Sequence, residues 1–238
     1  MKSVLIATVA LAAVPLAARA QNLDGFYVGA RGGASWLLDS AANVNGVASV
    51  VGFGTGQLSG TNNARFDTGW AAGGFVGYDF VGPRVELEAL YRDNKGTANG
   101  AFPISGVGTL RVNSVTEVQQ TSVMANLYYD FFAHDAFTPY VGAGAGLAFI
   151  DTRLGPLTRS SDIEFAYQAI VGAGYKVTPN LRLNLDGRYY GTLNPTFNNG
   201  FNLPNATVPV SGTIAGSYPN NNFAVLASVV YTFGPSAH

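Results

Sequence analysis

Two glutamates two residues apart, Glu86 and Glu88, are the first candidates for chemistry in this 238-residue chain. Paired carboxylates can work as a general acid and base. Their setting, RVELEALYR over Arg84–Arg92, points elsewhere. Arg84, Glu86, Glu88, Leu90 and Arg92 share one face and Val85, Leu87, Ala89 and Tyr91 the other, the period of two of a β-strand. Arg31, Asp79, Asp130, Lys176, Arg182, Asp186 and Arg188 sit on the polar faces of similar stretches. Arg31, Arg92 and Arg188 therefore offer Glu86 and Glu88 ion-pair partners, and pairing is the expected use of these carboxylates. Gly142-x-Gly144-x-Gly146 has no following helix and no third glycine at nucleotide spacing, so it is not a phosphate loop. The chain has two histidines, His134 and His238, and no cysteine. No catalytic residue, metal site or cofactor is expected.

The elements that must hold these charges are strands. From Phe165 to Tyr190 two alternating segments meet at Thr178-Pro179-Asn180, a tight turn. The second puts Leu181, Leu183, Leu185 and Tyr189 against Arg182, Asn184, Asp186, Arg188 and Tyr190. Similar strands are expected at 25–38, 66–80, 84–92, 123–131, 138–149 and 222–233. Short turns at 81–83, 132–137 and 178–180 alternate with long loops at 39–65, 93–113, 150–164 and 191–221. Eight strands with connections of alternating length describe an antiparallel up-and-down transmembrane β-barrel. A ten-stranded barrel, with an extra hairpin drawn from 39–65 or 191–221, is the alternative.

The assigned outward faces contain no Lys, Arg, Asp or Glu. A charge there costs roughly 2–4 kcal/mol at the bilayer midplane, and a soluble secreted barrel would have its faces reversed. Aromatic residues gather at both strand ends, as two interfacial girdles require. Trp36, Trp70, Tyr91, Phe149 and Tyr189 lie towards the loops. Phe26, Tyr78, Phe80, Phe131, Tyr175, Tyr231 and Phe233 lie towards the turns. Height along the strands divides the inward charges into two groups. Arg31, Glu86, Glu88, Arg92, Asp186 and Arg188 form a mid-height network. Asp79, Arg84, Asp130, Lys176 and Arg182 lie nearer the periplasm. An eight-stranded barrel has an interior its side chains can fill, so the expected lumen is a plug of paired charges.

Residues 1–20 read as a secretory signal: Lys2, an apolar run over Val4–Ala13, and Ala18-Arg19-Ala20 before Gln21. That run is too short to span roughly 30 Å of hydrocarbon as a helix. Removal of this segment leaves 11 basic against 14 acidic residues. With no basic run, nucleic acid is excluded as a partner. The absence of cysteine removes any disulfide framework. Much Gly, few charges and 12% aromatic residues in an exported chain suggest a barrel at 21–238 in the bacterial outer membrane.

At this level of detail the chain resembles the small outer-membrane β-barrel family of Gram-negative bacteria, porin-like surface proteins akin to the OmpA N-terminal domain. The resemblance rests on FYVGARGG at Phe26–Gly33, GWAAGGFVGYDF at Gly69–Phe80, RVELEALYR at Arg84–Arg92 and MANLYYDF at Met124–Phe131. TPYVGAGAG at Thr138–Gly146 and ASVVYTF at Ala227–Phe233 complete it. It implies insertion into outer-membrane lipid by the barrel-assembly machinery and a non-catalytic structural or surface-contact role as a monomer, with any loop ligand unidentified. A narrow porin passing small polar solutes is the alternative. Small barrels resembling lipid A deacylases or acyltransferases use a histidine near the outer leaflet, whereas His134 falls in a periplasmic turn and His238 at the terminus. The family usually ends on the aromatic residue of its last strand, but here Gly234–His238 follow Phe233.

Overall fold

The computed structural model describes residues 25–106, 108–154, 158–193, 196–203 and 209–233. The signal-peptide expectation and the tail after Phe233 lie outside them. Twelve strands follow in chain order. They are β1 (Phe26–Leu37), β2 (Ser40–Val50), β3 (Gly54–Phe66), β4 (Thr68–Asp79), β5 (Pro83–Ile104) and β6 (Gly108–Asp130). β7 (Phe137–Leu154), β8 (Thr158–Lys176), β9 (Leu181–Thr192), β10 (Thr196–Leu203), β11 (Val210–Ser217) and β12 (Asn221–Phe233) complete the set. Every ladder is antiparallel, and no helix occurs among the described residues. The all-β antiparallel expectation holds.

The strands in the order β5, β4, β1, β12, β9, β8, β7 and β6 form a ring, which the β5–β6 ladder closes. The first strand lies between Phe233 and Tyr78, with Phe26 opposite both. The turn after β4 needs Val81 and Gly82 at positive φ, 62° and 119°. Asp79 stabilises it by accepting the Val81 amide at 2.9 Å. Outward side chains of the ring are exposed and apolar, among them Leu87, Leu127, Val171, Leu185 and Val229. The first outward charges above Tyr91 are Asp93 and Lys95. Glu117 lies between Lys95 and Arg153, at 3.6 and 3.7 Å. This charged belt marks the outer limit of the lipid-facing band.

The expected long loops are not loops. Residues 39–65 are almost wholly β2 and β3, 93–113 and 150–164 are mostly extensions of β5 to β8, and 191–221 contains β10 and β11. β5 alone has 22 residues. At about 3.3 Å per residue and a tilt near 40° it rises roughly 55 Å, about twice the ~25 Å apolar band of such barrels. The barrel wall therefore continues outside the membrane, β3 pairing with upper β5, β2 with β3, β11 with β2 and β10 with β11. β10 lies beside β8 with no ladder between them among the described residues.

Above the membrane the outside of the wall meets water, so the pattern inverts. Val44, Ala48, Val50, Leu58, Phe102, Ile104 and Val210 point inward and pack together, with Asn, Ser and Thr outside. The phase also slips where the strand path breaks. Inward residues are Tyr27, Arg31, Ser35 and Leu37 in β1 but Val44, Ala48 and Val50 in β2. A similar slip occurs at Asp67, which is exposed. The breaks stay hydrogen-bonded, Leu38 to the Asn221 carbonyl at 2.9 Å and Asp67 to that of Lys95 at 2.8 Å. Backbone groups at these bends are thus satisfied without regular strand geometry.

Candidate functional site: the charged lumen

The periplasmic layer centres on Asp130. Its carboxylate accepts from Arg84 Nη2 at 2.8 Å and Arg182 Nη1 at 3.1 Å. Arg182 also lies 3.8 Å from Asp79. Arg84 is 2% exposed, and its guanidinium lies 4.6 Å from the Tyr128 ring centre and 5.1 Å from that of Tyr140. Lys176 stays apart: its ammonium donates to the Ala133 carbonyl in the β6–β7 turn at 2.6 Å.

One layer up, three carboxylates and two guanidiniums interlock. Arg31 pairs with Glu86 at 2.8 Å and also contacts Glu88 Oε2. Arg188 pairs with that same Glu88 oxygen at 2.6 Å and with Asp186 at 2.5 Å. Tyrosines complete the shell. Tyr128 donates to Glu86 at 3.0 Å and Tyr140 to Asp186 at 3.0 Å. Glu88 is 0% exposed. These contacts join β1, β5, β6, β7 and β9 across the barrel interior. A buried charge left unpaired would be strongly destabilising, so the interlocking is what makes this interior tolerable.

Glycine makes the tyrosine and asparagine positions possible. A Cβ on Gly142 would lie 2.6 Å from the Tyr128 ring, and one on Gly144 would lie 1.9 Å from Asn126 Oδ1. Gly142 and Gly144 therefore clear space for lumen side chains, while a Cβ on Gly146 would meet the β6 backbone at Val123.

Above this cluster the lumen is polar but mostly uncharged. Ser35, Asn94 and Asn222 bond one another, with Asn94 Nδ2 donating to the Ser35 carbonyl at 3.0 Å and Asn222 Nδ2 to Ser35 Oγ at 2.9 Å. Arg92 sits here, 1% exposed, donating to Ser122 Oγ at 2.9 Å and lying 4.1 Å from the Tyr190 ring centre. It was one of three arginines offered as partners for Glu86 and Glu88, and no ion pair joins it to a carboxylate among the described residues. Leu37, Val118, Met124, Ala148, Ile150 and Ala166 pack with Tyr190 to begin the apolar filling above.

Of the expected mid-height group, the structure joins Arg31, Glu86, Glu88, Asp186 and Arg188 and leaves Arg92 a layer higher. Of the lower group it joins Asp79, Arg84, Asp130 and Arg182 and leaves Lys176 out. Tyr128, Tyr140, Asn126 and Gln168 belong to the same interior network, and Ser122 holds Arg92 above it, but none was singled out as a site residue. Their inward parity was the available signal. The girdle residues lie on the lipid-facing wall. Trp70 and Tyr91 meet at 5.4 Å, Trp36 and Phe223 at 6.2 Å, and Tyr189 is exposed. At the turn end Tyr78 meets Phe80 at 4.6 Å and Tyr231 meets Phe233 at 5.2 Å, with Phe131 and Tyr175 exposed.

A lipid-facing band between two aromatic rings, around an ion-paired interior, is the architecture of an outer-membrane barrel. A family model described as surface antigen matches residues 55–237. The chain belongs to this surface antigen family. Outer membrane protein PagN of Salmonella typhimurium is 29% identical over 195 residues, covering 74% of this chain and 78% of PagN. Major surface antigen 4 of Anaplasma marginale is 34% identical over 139 residues, covering 52% of this chain and 48% of the antigen. Among solved structures, the outer membrane protein OprG from Pseudomonas aeruginosa superposes with a TM-score of 0.54. It is 16% identical over 90% of this chain and 99% of its own, a likeness of fold. The protein is thus an outer-membrane β-barrel related to bacterial surface antigens.

Proposed function

We propose that this surface antigen family member is a non-conducting barrel that presents a tall, rigid extracellular cylinder for contact at the cell surface. The Arg31–Glu86–Glu88–Arg188–Asp186 cluster carries the reading, because its bonds bridge the lumen at mid-height. A solute crossing there would have to break buried ion pairs, and one-sided breakage of such a pair costs several kcal/mol. Packed apolar side chains higher in the cylinder add a second obstruction. The contact surface is the strand-built wall, whose outward Asn, Ser and Thr side chains are fixed by the ladders beneath them.

The role is non-catalytic. Glu86 and Glu88 are held by guanidiniums, and His134 lies in the β6–β7 turn, at the opposite end from the outer leaflet. The chain works as a monomer of residues 21–238 in outer-membrane lipid, reached through signal cleavage and the barrel-assembly machinery. Planar-bilayer recording of the refolded protein tests the closed lumen, and a steady ohmic current would replace this reading with a narrow porin.

A further inference from the structure

Above the membrane, ladders join every neighbouring pair of wall strands except β8 and β10 among the described residues. β9 leaves the edge of β8 at Ala166, whose partner there is Thr192. The upper part of β8, residues 158–164, keeps its ladder to β7 on one side and has none on the other among the described residues. The Phe165 carbonyl accepts the Leu193 amide at 3.0 Å, so the backbone groups of Ile163 and Ser161 also point to that open side. The Ile163 N–H is taken by a neighbouring carboxylate, Asp162 Oδ1 at 2.9 Å. Side chains alternate too. Ser161 and Ile163 are exposed on the outer face, while Asp162 and Glu164 lie half-buried on the inner face. Inward carboxylates on a free edge discourage pairing with an ordinary strand. β10 lies alongside, its Phe201 packed on the apolar cluster, with no ladder to β8.

We propose that the open edge of β8 docks an extended peptide with Lys or Arg at alternate positions. Such a peptide adds one strand to the wall and gives the backbone groups of Ser161 and Ile163 the ladder they lack. Its inward side chains then stand beside Asp162 and Glu164, and opposite charges across a ladder are favourable. A neutral strand gains the ladder without that pairing, and an acidic one meets like charge, so the two carboxylates select the partner. The seam begins where β9 ends and runs outward, so a strand reaches it from the cell surface. β10 is laddered to β11 alone, and parting from β8 makes room. The inference rests on the surface-contact reading and names the partner's chemistry; conductance tests that reading separately.

The test is fluorescence anisotropy of labelled peptides titrated with the refolded barrel in zwitterionic micelles. Three probes are compared: four Thr-Lys repeats, four Thr-Glu repeats, and four Pro-Lys repeats, which keep the positive charge but lack every second N–H. The Thr-Lys peptide should bind saturably, and the other two at least about tenfold more weakly. Ser161→Pro removes the edge N–H and should weaken Thr-Lys binding by a similar factor. Ser161→Ala keeps that N–H while losing the hydroxyl bond to Asp151, and should bind as the wild type does. Equal binding of the Thr-Lys and Pro-Lys peptides would reduce the effect to charge and overturn the docking edge. No saturable binding, or unchanged binding in Ser161→Pro, would overturn it too. Concentration-dependent pairing of barrels that Ser161→Pro abolishes would give the edge to a second copy of this chain, which also overturns the proposal. If Ser161→Pro does not fold, as heat-modifiable mobility reports, the three-peptide comparison on the wild type decides.

Discussion

Glu88→Ala is the most informative single perturbation of the lumen. It removes the shared acceptor of Arg31 and Arg188 at a position with no solvent exposure. Removing one partner of a buried pair typically costs ~3–5 kcal/mol. Here Arg31 keeps Glu86 and Arg188 keeps Asp186, so the lower end, about 3 kcal/mol, is expected. Arg31→Met in the same chain removes the guanidinium that shares Glu88, so the Arg31–Glu88 pair is lost once in the double variant and counted twice in the summed single losses. The double variant should therefore lose less than the two single losses summed, with a coupling of about 1–3 kcal/mol. Reversible urea unfolding in lipid vesicles, followed by heat-modifiable gel mobility, measures all four corners of the cycle. A Glu88→Ala loss below about 0.5 kcal/mol, the range of neutral surface changes, would refute the argument. Strict additivity in the cycle would also refute it.

Other perturbations test other parts of the molecule. Leu185→Arg puts a charge against lipid at a cost of roughly 2–4 kcal/mol and should block stable insertion. Asp186→Asn should leave insertion intact, and equal assembly defects on gels would show the face assignment to be wrong. Phe102→Ala opens the extracellular apolar cluster, at about 3–5 kcal/mol for a large-to-small core change. It should expose the upper wall to surface-added protease while the membrane band resists; unchanged protection would argue against a packed cylinder. Mass spectrometry of the outer-membrane form should find Gln21 at the amino terminus, and an intact Met1 would remove the signal-peptide reading.

Much of this arrangement can be read from residue types. Period two over Arg84–Arg92 and Leu181–Tyr190 places Glu86, Glu88, Asp186 and Arg188 on the interior face, and the ladders pair their strands accordingly. What parity cannot give is the partner across the lumen. Arg31 and Arg188 reach Glu88 while Arg92, on the same strand as Glu88, does not, because ring position and side-chain direction decide the contact. The extracellular wall was hidden for another reason. Its strands are rich in Asn, Gly, Ser and Thr, a loop-like composition, and its apolar face points inward instead of outward. Val44 and Leu58 follow a period of two, but the slips near Leu38 and Asp67 break its continuity with the membrane strands.

Single-channel recording of the wild type and Glu88→Ala barrels in the same planar bilayer tests the closed lumen most directly. The account predicts no resolvable current through the wild type, and either instability or intermittent leak through Glu88→Ala. A steady ohmic conductance through the wild type, unchanged by Glu88→Ala, would contradict it and mark the lumen as an open polar path.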